Sequence, residues 1–222
     1  MVGRAAEKHI RRSFLNVIPR QIGPIPWGWE NAAGAGGTFV RRHLGEIKKL
    51  DLLSYFDWDT WNVSGALEAI YPTHAYGTMN MKSIFITAYR FLGWEQLLTL
   101  RPSLLPVAEM YCAWNEKLLT SAPVPIAYFF IGDDYAHNSG LFVSPELWRE
   151  WICPALSMLV SVGKAAGCKV CLHSDGDIHE ILDDLLCLGF YGVEYQPIGK
   201  MVTIGKAGHY RGMKMWPVVP EI

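Results

Sequence analysis

The chain has 222 residues, half of them apolar, which is enough to bury one large core and fits one domain or slightly more. Its 20 basic and 21 acidic side chains nearly cancel, which argues against nucleic acid or an anionic membrane surface as a partner. No run approaches the roughly 20 apolar residues of a membrane span, Arg4, Lys8, Arg11 and Arg12 precede no signal-like segment, and five scattered cysteines suit reduced thiols, so a cytoplasmic protein is expected.

The first third carries few patterns. Residues 27–30 and 31–37 have loop composition, and the glycines at 34–37 are not a phosphate loop, because no strand pattern leads in and no GK[ST] follows. Residues 104–119 have the spacing of an amphipathic helix. The run IAYFFI at 126–131 is β-rich with no polar break, as in a strand covered on both sides in a parallel sheet. Ser144-Pro145-Glu146 then supplies an N-cap, a proline at the first helical position and an acid at the positive helix end.

That helix continues through Trp148, Trp151, Ile152, Ala155, Leu156, Leu159 and Val160 at three- and four-residue spacing toward Gly167, with Pro154 expected to kink or break it. A second strand, CKVCLH at 168–173, would send Cys168 and Cys171 to opposite faces, which disfavours a CxxC redox or zinc pair. Asp177 and Glu180 form a D-x-x-E capping pair for a helix over 178–188, closed by Gly189. Strands follow at 192–195 and 213–219, separated by a poorly patterned stretch with His209 and Tyr210.

Alternation of this kind predicts βαβ units and a parallel sheet, which either closes into a barrel or stays open. In both cases chemistry gathers at the carboxyl ends of the strands, where Asp133-Asp134, His173-Ser174-Asp175 and Glu194-Tyr195-Gln196 fall. Only one of Asp133 and Asp134 can point into a site, where it could act as acid, base or metal ligand; the other would hydrogen-bond the loop. His173 and Asp175, two apart, can converge on a divalent metal or form an acid–base couple in which the carboxylate fixes the imidazole tautomer. Glu194 and Gln196 share a face that can meet a substrate, and Tyr135 is a further candidate substrate contact. His137, His179 and His209 receive no role.

Taken together, GDDYAHNSGLFVSPELWREWICPAL and CKVCLHSDGDIHEILDDLLCLGFYGVEYQP resemble the uroporphyrinogen decarboxylase superfamily. That family shows a D-D/x-G-x-x-x-G loop, an S-P-E helix with an internal proline, a strand ending H-S-x-G-D/N-I, and a Q-P or E-P strand end. The match is specific over residues 130–197 and loose elsewhere, including FITAYRFLGWEQLLTL at 85–100 and residues 11–17. It implies a (β/α)8 TIM-barrel-like α/β fold, incomplete at the C-terminal end. Residues 1–80 would lead into the barrel and 81–222 would supply its units, in a single domain overall, with residues 72–81 shortened.

The arginine-rich R-Q-A-G-R segment of the porphyrinogen decarboxylases is missing. In the corrinoid-dependent methyltransferases the zinc site resembles H-x-C; here His173 matches and Asp175 stands in the cysteine's place. The resemblance therefore implies a methyltransferase that moves a methyl group from a small O- or N-methylated substrate to a corrinoid protein. Asp133, Asp134, His173 and Asp175 would be catalytic, with His173 and Asp175 able to hold zinc, and the corrinoid would be carried by the partner. The alternatives are uroporphyrinogen decarboxylation and an inactive fragment or pseudoenzyme.

Overall fold

The computed structural model describes residues 77–81, 83–122 and 125–218; the features noted at 11–17, 27–30, 31–37 and most of 72–81 lie outside them. In chain order the elements are β1 (Gly77–Met81), α1 (Ile84–Leu92), α2 (Trp94–Leu100), α3 (Leu105–Ser121), β2 (Tyr128–Gly132), β3 (Ala136–His137), β4 (Gly140–Leu141) and α4 (Pro145–Leu147). A π-helical turn at Trp148–Ile152 joins α4 to α5 (Cys153–Ala165), followed by β5 (Lys169–Ser174). A 3-10 turn at His179–Ile181 opens α6 (Leu182–Leu188), and then come β6 (Gly192–Tyr195), α7 (Met201–Ile204), β7 (His209–Tyr210) and β8 (Met213–Pro217).

The helix expected after Ser144 begins there. The Ser144 hydroxyl accepts from the Leu147 N–H at 3.2 Å and Pro145 occupies the first turn, where its missing N–H is not needed. The break expected at Pro154 takes the form of the π turn just before it, in which the Cys153 N–H donates to the Trp148 carbonyl five residues back. Such a wide turn lets the chain absorb the proline without losing the helix direction. At the far end Gly167, at φ 75°, closes the helix onto the Lys164 carbonyl.

Strands β1, β2, β5, β6 and β8 run parallel in the order β1-β2-β5-β6-β8, and β7 adds to the β8 edge antiparallel. The fold is thus α/β with a mostly parallel sheet, as the alternating patterns predict. Strand β6 has the expected bounds, and the others shift by one or two residues. The unpatterned stretch holds α7, a 3-10 turn at Gly205–Ala207 and β7, which forms a hairpin with β8 whose turn places Arg211 and Gly212 at φ 47° and 93°.

Side chains alternate across this sheet. Phe129, Ile131, Val170, Leu172, Val193, Tyr195, Met213 and Met215 face one way and share a core with Val107 and Tyr111 of α3, Leu159 and Val160 of α5, and Leu182 and Leu185 of α6. Gly163 lets α5 lie close, because a Cβ there would sit 2.6 Å from Phe129 Cδ1. The opposite face holds Phe130 and Cys171 with Tyr128, Tyr191 and Trp216 packed beside them. Cys168 and Cys171 are divided between these two clusters, as strand alternation requires, and both are free thiols. Among the described residues no helix is long and apolar enough to cross a membrane.

A candidate active site at the strand ends

Gly132, His173 and Glu194 are register partners across β2, β5 and β6, so the residues that follow emerge side by side at the carboxyl end of the sheet. The Asp133 N–H extends the pairing by donating to the His173 carbonyl at 2.9 Å. From there the backbone alternation separates Asp133 and Tyr135 from Asp134.

Asp133 turns under the helices. One carboxylate oxygen accepts from the Phe85 N–H at 2.9 Å and from the Tyr135 hydroxyl at 3.1 Å, and the other accepts from the Ile86 N–H at 2.9 Å. These two backbone donors belong to the first turn of α1, whose own N-cap residue, Ser83, makes no side-chain cap. Asp133 therefore caps the helix from 48 residues away in sequence. It is 0% exposed, and burial pushes its carboxyl up to about 7 despite the three donors that oppose the shift.

Tyr135 is 1% exposed and its ring packs near Phe85 and Trp148, with centroids 6.2 and 5.6 Å away. Asp133 is thus the member of the pair that hydrogen-bonds rather than faces the strand-end cluster, and Tyr135 is a buried residue bonded to it. The reason is strand alternation: residues two apart share a face, and this face is the one under the helices.

Asp134 lies on the other side with His173 and Asp175. One ligand atom from each of these three side chains can be chosen so that all lie within 4.8 Å of one another. Asp134 Oδ1 accepts from the Asp175 N–H at 2.8 Å, which locks the two loop segments together. Glu194 Oε2 lies 2.9 Å from His173 Nδ1, while His173 Nε2 lies 3.7 Å from Asp175 Oδ1. Glu194 is thus the group that fixes the imidazole, in place of Asp175: with Nδ1–H donated to its carboxylate, Nε2 is left facing the two aspartates.

Burial alone would lower the His173 pKa, but the hydrogen bond and charge of Glu194, with Asp175 and Asp134 behind it, hold it above its ordinary value. Asp175 is also raised, first by burial and then by the neighbouring Asp134 charge. Three carboxylates around one imidazole leave negative charge in excess, an arrangement that favours a proton or a cation at the Nε2 edge. Gln196, two residues beyond Glu194, is half-buried and accepts the Ile198 N–H through its carbonyl.

A second polar group lies at this end of the sheet, of which the sequence pattern marks only Asp177, as a cap. Asp177, 5% exposed, accepts from His179 Nδ1 at 2.9 Å, from the His179 N–H at 3.3 Å and from the Lys200 N–H at 2.9 Å. Its own N–H donates to the His137 carbonyl of the β3–β4 hairpin. The D-x-x-E pattern shows Asp177 as a cap, but Glu180 is exposed and the Asp177 N–H is taken by His137. Nothing in the local spacing points to Lys200, 23 residues on. No protein-family model, no curated protein and no solved structure matches the chain.

Proposed function

We propose that the chain is a barrel-type methyltransferase of the uroporphyrinogen decarboxylase superfamily, moving a methyl group from a small O- or N-methylated substrate to a corrinoid protein. The observation that carries this reading is the convergence of Asp134, His173 and Asp175 at the ends of neighbouring parallel strands, with Glu194 orienting the histidine.

Two features support a closed barrel over an open sheet. The buried apolar residues of the described helices, Val162 apart, join the cluster on one sheet face, whereas a doubly wound sheet is covered on both. The opposite face is apolar along Tyr128, Phe130, Cys171 and Trp216 and carries the polar cluster at its strand ends, the layout of a barrel interior and mouth.

The donor set fits a divalent cation such as zinc: one imidazole nitrogen and two carboxylates, with no thiolate among them. His173, Asp134 and Asp175 would hold it, and it would draw negative charge from the substrate's leaving oxygen or nitrogen. Glu194 would keep the His173 tautomer and ring angle in place, and Gln196 would orient the substrate. With no metal bound, Asp175, whose carboxyl is raised and 42% exposed, can instead pass a proton to the leaving atom as the methyl carbon is attacked.

The test is methyl transfer from a panel of methoxylated aromatics and methylamines to added cob(I)alamin, followed by the absorbance of methylcobalamin. Transfer lost in His173→Ala supports the reading, and loss on chelation with recovery on adding zinc supports the metal-assisted form. No transfer across the panel overturns it. Loss of carboxyl groups from uroporphyrinogen would mark a decarboxylase instead, with Asp134 as the half-buried acid at the strand ends.

A further inference from the structure

At the same end of the sheet as the His173 cluster, the turn after β5 and the turn after β6 are joined through a chain of three side chains. Lys200 Nζ lies 3.0 Å from His179 Nε2, and His179 Nδ1 lies 2.9 Å from Asp177 Oδ1. An ammonium group can only donate, so His179 Nε2 must be the acceptor. The other ring nitrogen, Nδ1, then donates to Asp177. Asp177 also accepts from the His179 N–H at 3.3 Å and from the Lys200 N–H at 2.9 Å, so it is a firm anchor for the ring.

The arrangement holds a lysine still without neutralising it. A free lysine loses about 2 kcal/mol of side-chain entropy when immobilised, which is why most surface lysines are mobile. Here the backbone of Lys200 is bonded to Asp177 and its amine to His179, and Gly199, at φ 50°, permits the approach because a Cβ there would collide with the Asp177 carboxylate. Among the described residues, the amine has no carboxylate partner, and its bond to the His179 ring leaves two N–H groups for a ligand.

We propose that Lys200, positioned by His179 and Asp177, binds the carboxylate of a small-molecule ligand at the mouth of the fold. A single point charge with two open donors suits a carboxylate, whereas phosphate groups usually engage several cations or a nest of backbone N–H groups. The inference stands on this side-chain chain alone and does not depend on methyl transfer.

The experiment is a titration of the full chain, followed through its lysine side-chain ammonium signals by proton–nitrogen NMR, with acetate and, separately, inorganic phosphate. One ammonium signal should move saturably with acetate. That response should vanish in Lys200→Met, weaken severalfold in His179→Phe, and persist in Lys206→Met, which alters an exposed lysine elsewhere. Thermal melts of the three variants that match the parent would show that folding is intact. Absence of a saturable shift, its survival in Lys200→Met, or tighter binding of phosphate than of acetate would overturn the proposal. Because no cobalamin or methyl donor is present, failure here is separable from failure of the methyltransferase reading.

Discussion

Asp133 and Asp134 are adjacent in sequence, yet they belong to two regions with different tasks. The first sits beneath the helices, holds the start of α1 and the Tyr135 hydroxyl, and is sealed from solvent. The second lies at the strand ends, binds the Asp175 N–H and gathers with His173. Two carboxylates in one motif have thus been divided between a buried helix cap and the strand-end cluster by nothing more than backbone alternation, and a motif match alone would credit both with the same role.

Exchanging the roles is the sharpest way to break this comparison. Asp133→Ala leaves three buried donors without an acceptor, and at about 1–3 kcal/mol each the loss should exceed about 3 kcal/mol in urea unfolding. Asp134→Asn keeps an acceptor for Asp175 and should cost less than about 1 kcal/mol while weakening zinc binding. If the two stabilities came out reversed, the division between cap and site would be wrong.

A smaller effect is expected at Gly176, which stands at φ 88° with the Ala136 backbone packed against it. Gly176→Ala should cost about 2 kcal/mol through strain and displacement of the β3–β4 hairpin, read by thermal melting. Glu194→Gln removes the charge that raises His173, so the imidazole pKa should fall by NMR titration. Zinc affinity should drop about 10-fold in the same variant, as for other partners of metal-bound histidines.

The pH dependences separate the same two regions. The Asp133 carboxyl rises from an ordinary 3.8 to about 7 on folding, so its protonated form is favoured in the native state. Its stability contribution is full below 3.8 and fades as pH rises through about 7. Urea midpoints should decline over that interval, and Asp133→Asn should flatten the decline. At the strand ends the sign for the proposed zinc differs: protons on the raised His173 and Asp175 would compete with it, so its affinity should fall as pH is lowered.

Local chemistry made much of this architecture legible. Ser144-Pro145 marks a helix start because its cap and proline work within one turn, and IAYFFI marks a strand because a covered strand needs no polar positions. The strand-end positions of His173, Asp175 and Glu194 followed from the same alternation of elements. Less legible were the sides to which side chains turn once a strand ends. Tyr135 stands next to the strand-end acids in sequence, yet it is buried against Phe85 and Trp148, because alternation beyond the strand puts it on the face under the helices. Glu194 and Asp175 exchanged parts for a related reason: register puts Glu194 directly beside His173, closer than the sequence neighbour two positions on.

Residue order by itself determined the α/β alternation, the parallel sense of the sheet and the strand ends on which polar groups collect, because these depend on propensities, caps and periodicities that act over a few residues. Tertiary structure decided which carboxylate caps a helix 48 residues away, which acid orients His173, and how Lys200 reaches His179. Those contacts depend on strand register and on loops meeting across the sheet, and no local spacing encodes where two distant segments of chain will touch.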